Sequence, residues 1–317
     1  MLNPDSFKRF IENINDDEPI GRMINYLEQR NGDQGRYKAE LIEYYRDCNK
    51  IDSIFDCFIP RLNDNNYYWG ILCAITTNIL QKQVVSNSSD ETLQGDFILE
   101  KQMFVKGNLI VNGDFKNDSM KLHDNDFDLI VAGNLIINGN FKIDYLRIAV
   151  LGDVIVNGYV LEESSWSFIY IGGQFKVENF ISLQGELYCI GQIFAKIIDL
   201  YYNHGHAQLL GGFKSLVFHE FDHDGSKNYG NADSDCIFYH KMRGLHMETH
   251  VAIKKLWALI DTNKIEGMDE VRIEEFDTDS YDNDMESWIL NTTGKEIYDF
   301  IIDIIEQSKE RNVFRFS

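Results

Sequence analysis

The chain has 317 residues, 44% of them hydrophobic and 13% aromatic, a composition that suits a packed globular protein and excludes a disordered one. Its 51 acidic residues against 30 lysines and arginines leave a formal charge of −21. That charge argues against nucleic acid or an anionic membrane as a direct ligand, because both demand a basic footprint, and points to a basic protein as partner.

Residues 1–90 are expected to form a helical N-terminal cap. Phe7, Phe10, Ile11 and Ile14 fall at i, i+3, i+4, i+7 behind Asp5 or Ser6 as the capping residue, and Ile20, Met23, Ile24 and Leu27 repeat the spacing. Leu41, Ile42, Tyr44 and Tyr45, then Ile51, Ile54, Phe55 and Phe58, mark two more helices. The apolar run from Trp69 to Leu80 reads as a fifth; Thr76, Thr77 and Asn78 interrupt it, and it is too short to span a bilayer. The first residues lack the apolar run of a signal peptide. The five cysteines (Cys48, Cys57, Cys73, Cys189 and Cys236) are odd in number and form no CxxC pair, so a reducing, cytoplasmic setting is expected.

The polar stretch from Ser86 to Glu91 leads into residues 91–221, which are organised by a repeat. Gly107-Asn-Leu-Ile-Val-Asn-Gly113 returns as Gly133-Asn-Leu-Ile-Ile-Asn-Gly139 and as Gly152-Asp-Val-Ile-Val-Asn-Gly158. Fainter copies open at Gly172, Gly191 and Gly211, so successive anchor glycines lie 26, 19, 20, 19 and 20 residues apart. A short apolar strand, a glycine turn, a second semi-apolar strand such as Phe141-Lys-Ile-Asp144 and another turn cannot bury their own apolar face. Stacked copies bury one continuous core. The reading is a mainly β protein: a parallel β-helix, or solenoid, of about six coils, with α-helical regions at both ends. Its loose period and the usual crossover hand favour a right-handed coil. The long first interval places a loop around His123 to Phe127.

Alternation along each strand directs Leu109, Val111, Leu135, Ile137, Val154 and Val156 inward. It leaves Ile110, Ile136 and Ile155 as an outward stripe, for which cover by another part of the chain is expected first and a partner second. Asn112, Asn138 and Asn157 are expected to stack as a side-chain ladder at one corner.

These Gly-Asn-Leu-Ile-Val-Asn-Gly copies resemble the repeats of bactofilins, bacterial polymer-forming cytoskeletal proteins, over about residues 95–218. The resemblance implies a solenoid with open ends that stack into filaments. This chain departs from it in carrying long segments before and after the repeat, and terminal segments of that kind commonly cap solenoid ends.

Residues 222–317 read as a loop followed by a helical, acid-rich region. Glu248 to Thr262 has helical spacing, and Thr293-Gly-Lys-Glu296 is a capping box ahead of Ile297, Phe300, Ile301, Ile304 and Ile305. Between them stand Glu266, Asp269, Glu270, Glu274, Glu275, Asp277, Asp279, Asp282, Asp284 and Glu286 against the single base Arg272. With Asp222, Asp224, Asp233 and Asp235 of the preceding loop, these acids are the expected surface for a basic partner. Their spacing fits no EF-hand, which needs Gly at the sixth loop position and Glu at the twelfth.

His219-Glu-Phe-Asp-His223 matches the H-E-x-x-H pattern of zinc hydrolases, in which a helix sets both imidazoles on one face and the Glu polarises metal-bound water. Its context is a strand: Leu216-Val-Phe218 precedes it and Asp224-Gly225 follows. In a strand His219 and His223 stand about 13 Å apart, too far to share one ion. Asp114, Asp128 and Asp153 are the acids available to an outer groove of the kind β-helix hydrolases use. No nucleotide-binding or nucleophile-elbow motif is present, and no cofactor is expected. The leading expectation is a non-catalytic cytoplasmic protein that binds a basic partner, as an immunity protein binds a toxin domain. The alternatives are a self-associating bactofilin-like scaffold and a zinc-dependent hydrolase built on His219, Glu220 and His223.

Overall fold

The computed structural model describes residues 4–18, scattered positions between 21 and 43, residues 90–239 apart from short connecting segments, and the single positions 259 and 307. The helix α1 (Pro4–Glu12) opens the chain. It starts at Pro4 and not behind Asp5 or Ser6, because a proline loses nothing in a first turn, where its missing N–H has no partner to serve. Asp5 near its start and Arg9 near its end complement the helix dipole. The later helices expected before residue 90, and both helices expected after residue 247, fall mostly outside the described residues.

From residue 91 the chain winds into a parallel solenoid of six complete coils. The first holds β1 (Glu91–Gln94), β2 (Phe97–Leu99) and β3 (Met103–Val105). The second holds β4 (Leu109–Asn112), β5 (Phe115–Asn117) and β6 (Leu129–Val131), and the third β7 (Leu135–Ile137), β8 (Phe141–Ile143) and β9 (Arg147–Val150). In the fourth, β10 (Val154–Glu162) runs unbroken through the first corner before β11 (Phe168–Ile171). The fifth has β12 (Phe175–Ser182) and β13 (Glu186–Cys189), and the sixth β14 (Ile193–Phe194), β15 (Ile197–Tyr201) and β16 (His206–Leu209). Two further strands, β17 (Phe213–Phe221) and β18 (Ala232–Tyr239), continue the stack. We call the first-coil end lower and the β18 end upper.

Where the repeat pattern predicts two strands per coil, the first three coils and the sixth have three, the fourth and fifth run one long strand through a corner, and the cross-section has three faces throughout. Face one stacks β1, β4, β7, β10, β12, β14, β17 and β18. Face two stacks β2, β5 and β8 under the second halves of β10 and β12, then β15 and β17. Face three stacks β3, β6, β9, β11, β13 and β16. The connection between β5 and β6 absorbs the extra residues of the longest coil; positions 123–127 within it are outside the described residues.

Successive coils repeat because their inner side chains meet like on like. Leu109, Leu135 and Val154 share one column, and Val111, Ile137 and Val156 another, all buried. On face two Phe97, Phe115 and Phe141 stack with ring centroids 5.3 and 4.8 Å apart, each such pair adding about 1 kcal/mol beyond simple burial.

The corners are hydrogen-bonded rung to rung. The backbone N–H groups of Asn108, Asn134, Asp153 and Gln174 donate to Oδ1 of Asp90, Asn108, Asn134 and Asp153, at 2.8 to 2.9 Å. A second corner does the same through Asp96, Asp114 and Asn140. The expected amide ladder is present: Asn138 Nδ2 donates to Asn112 Oδ1 at 2.7 Å, and Asn157 Nδ2 to Asn138 Oδ1 at 2.8 Å. At Gly113, Gly133, Gly139, Gly152, Gly158 and Gly173, which precede corner residues, a Cβ would strike the coil below. At Gly152 it would lie 2.3 Å from Asn134 Oδ1 and 2.7 Å from the Gly133 carbonyl oxygen.

One anchor shifts by a residue. Gly173, not Gly172, stacks on Gly152 and under Gly191, since its N–H bonds to the Gly152 carbonyl while that of Gly172 bonds to Val150. Ile110, Ile136 and Ile155 stack on successive rungs as the alternation predicts, and all three are partly buried; the segments expected to cover them lie mostly outside the described residues. The buried outward rows lie elsewhere: Ile130, Ala149, Tyr170, Tyr188 and Gln208 on face three, and Leu161, Ile181, Asp199 and His219 on upper face two.

The described N-terminal segment reaches the solenoid near its upper end, where the Arg22 guanidinium donates to the Leu210 carbonyl. In the first coil Leu99 and Val105 are fully buried, while Leu93, Phe97 and Met103 stay partly exposed. Among the described residues no helix is long and apolar enough to cross a membrane.

Candidate functional site

The upper end of the solenoid gathers most of the side chains that the sequence singles out. β17 is a strand, so His219 and Glu220 leave the backbone in opposite directions. Phe218 and Glu220 follow Ile198 and Leu200 in the inner rows, whereas His219 follows Asp199 in an outer row. The H-E-x-x-H match therefore lacks the helix that its chemistry requires, and His223 lies outside the described residues.

His219, Asp199, Glu220 and Glu162 are buried and each takes part in a hydrogen bond. His219 Nδ1 lies 2.7 Å from Asp199 Oδ1, with both side chains almost wholly buried. Parallel stacking produces that contact by placing residues 199 and 219 side by side on successive rungs. On the inner side, Tyr229 donates its hydroxyl to Glu220 Oε2 at 2.6 Å, and its ring packs edge-on against Phe213 and Phe218. Three rungs below Glu220, fully buried Glu162 accepts from Ser182 Oγ at 3.0 Å and from the Gly185 N–H at 2.7 Å. A Cβ on Gly185 would sit 2.7 Å from Glu162 Oε2, which is why that position is glycine. Such groups hold a buried row together at about 1 kcal/mol per net hydrogen bond, and losing one partner costs more.

The acids considered for an outer groove are also committed to corners. Asp114 and Asp153 accept backbone N–H groups from the next coil, and buried Asp128 accepts the Arg147 N–H at 2.8 Å. Among the described residues no group of three or more His, Cys, Asp or Glu is placed to hold a metal ion.

Of the expected partner-binding acids, Asp233 and Asp235 are described. Both are exposed, and they stand on the strand β18 at the upper edge of face one, not in the loop expected from the sequence. Asp233 Oδ2 lies 3.8 Å from Lys214 Nζ on the strand below, a surface pair worth at most a few tenths of a kcal/mol. Asp222, Asp224 and the ten acids from Glu266 to Glu286 lie outside the described residues. Sequence reasoning passed over Asp199, Glu162 and Tyr229. The available signal was Asp199 itself, a lone acid inside the apolar run Ile197-Ile-Asp-Leu-Tyr201. No family model matches the chain, and neither a curated protein nor a solved structure matches it.

Proposed function

We propose that this protein is a non-catalytic binding protein that engages a basic protein partner, and that the partner is a toxin domain which it neutralises. The observation that carries this reading is the formal charge of −21, with ten acids against one base between Glu266 and Glu286. Exposed Asp233 and Asp235 on the upper edge strand extend the same charge onto the solenoid. An acidic surface of this kind speeds encounter with a basic partner and makes the rate sensitive to salt. A pull-down from lysate at low and at high salt tests it. One basic protein, captured at low salt and released by high salt, is the expected result. It should be lost from a variant in which Asp233, Asp235 and several acids of the 266–286 segment are changed to Lys. Undiminished capture by that variant would remove this surface from the reading.

A second reading is a self-associating scaffold. Two observations favour it: the likeness of the Gly-Asn-Leu-Ile-Val-Asn-Gly copies to bactofilin repeats, and the partial exposure of Leu93, Phe97 and Met103 in the first coil. Light scattering over a range of protein concentration distinguishes it from the first, since assembly then needs no partner.

A further inference from the structure

We propose that Asn157 is a site of spontaneous covalent modification. Its side-chain amide is lost as ammonia after attack by the backbone nitrogen of Gly158, ahead of the same reaction at the two Asn-Gly pairs stacked beneath it. The reaction needs no partner protein and stands apart from both readings above.

Asn112-Gly113, Asn138-Gly139 and Asn157-Gly158 stand one above another along the amide ladder. Stacking fixes both residues of each pair. The asparagines bond rung to rung, and a Cβ on the residue that follows would collide with the coil below. At Gly113 it would lie 2.4 Å from the Gly95 backbone, and at Gly158 2.8 Å from the Gly139 carbonyl oxygen. Glycine is also the residue that leaves a preceding asparagine most open to its own backbone, because no Cβ shields the attacking nitrogen. The corner therefore assembles a thermolabile dipeptide out of two packing requirements. All three asparagines are exposed.

The three amides are held unequally. Asn112 Nδ2 donates to Gln94 Oε1 at 3.1 Å, and Asn112 Oδ1 accepts from Asn138. Asn138 likewise donates below and accepts from Asn157. Asn157 ends the ladder: it donates to Asn138, and among the described residues nothing donates to its Oδ1. The next rung presents Glu178, whose carboxylate has no donor and pairs with Lys196. The backbone departs from register at the same place. Val156 pairs with Val177 and Tyr159 with Asn179, so Asn157 and Gly158 bulge against Glu178 alone. The Gly158 nitrogen gives up its proton and bonds to Asn157 Cγ, and the Cγ–Nδ2 bond breaks to release ammonia. Solvent water then opens the cyclic imide to aspartate or isoaspartate. Either product removes the donor to Asn138 and sets a carboxylate beside Glu178, and like charges side by side weaken a rung contact.

Incubation of the full chain at mildly alkaline pH, with peptide mass mapping over time, tests this in the wild type, in Glu178→Gln and in Lys196→Met. We expect Asn157 to deamidate about fivefold faster than Asn112 or Asn138, the factor that one hydrogen bond fewer to break supplies. In urea, where no ladder exists, the three rates should converge. Glu178→Gln offers an amide donor to Asn157 Oδ1 and should slow its loss toward the rate of the other two. Lys196→Met releases Glu178 from its ion pair without offering a donor, and should leave Asn157 as fast as in the wild type. No loss at Asn157, equal rates at all three in the folded chain, or an earlier reaction at Asn112 or Asn138 overturns the proposal. So does an undiminished rate at Asn157 in Glu178→Gln, because the open end of the ladder is then not what exposes it. Should Glu178→Gln fail to fold, the order of reaction in the wild type alone decides.

Discussion

Gly95 and Gly139 occupy one column of the solenoid and need to be glycine for different reasons. Gly95 has φ +77° and open space around it, so a side chain there meets backbone strain alone. A Cβ at Gly139 would lie 2.3 Å from Asp114 Oδ1 and 2.7 Å from the Gly113 carbonyl. Gly139→Ala should therefore cost about 2 kcal/mol or more through overpacking between rungs. Gly95→Ala should cost about 1 kcal/mol through its left-handed backbone. Urea midpoints of the two variants measure the difference; equal losses would mean that contact between coils is not what excludes a side chain. The glycines themselves were legible in the sequence. The choice between Gly172 and Gly173 was not, because adjacent glycines satisfy the pattern equally and hydrogen bonding across coils selects one. The Asn and Asp residues that follow the glycines gave no sign of their use, since a side-chain oxygen that accepts an N–H from the next coil has its partner about twenty residues away.

Along the strands, alternation held wherever one side of the sheet meets solvent. Ile136 and Ile137 are neighbours in β7, the first partly exposed and the second fully buried. Ile137→Ala should cost about 3 kcal/mol as a core cavity. Ile136→Thr should stay within about 1 kcal/mol, since both residues favour strands and little burial is lost. Thermal or urea unfolding of the pair checks the assignment, and a costly Ile136→Thr would mean that the stripe is covered after all. Face three was harder to read. Its outward residues Ile130, Tyr170 and Tyr188 are buried as deeply as its inward ones, so Leu129-Ile-Val131 and Phe168-Ile-Tyr-Ile171 run apolar without alternating. A continuously apolar segment of three or four residues carries no period, which is why the pattern predicted two strands per coil and missed the third face.

At the scale of the molecule, deep burial sets an alkaline limit on stability. Burial holds the Tyr170 phenol well above its ordinary range and likewise pushes the Cys189 thiol up. Both are neutral when protonated, and unfolding returns them to water, where they ionise near pH 8.5 and pH 10, at about their ordinary values. Their contribution is thus fully present at neutral pH and is lost as pH rises past those unfolded values. The melting temperature should fall between about pH 8 and about pH 10.5, and Tyr170→Phe with Cys189→Ala should flatten that fall. An unchanged slope in the double variant would assign alkaline sensitivity to other groups. What the sequence determined by itself was the repeat, and with it the parallel stacking, the inward columns and the amide ladder. A recurring short pattern carries those features locally, and each copy corroborates the others. Only the tertiary structure decided which rows are buried, that Asp199 meets His219, and that the described N-terminal segment reaches the sixth coil. These depend on contacts between residues far apart in the chain, such as Arg22 and Leu210, and no local period records them.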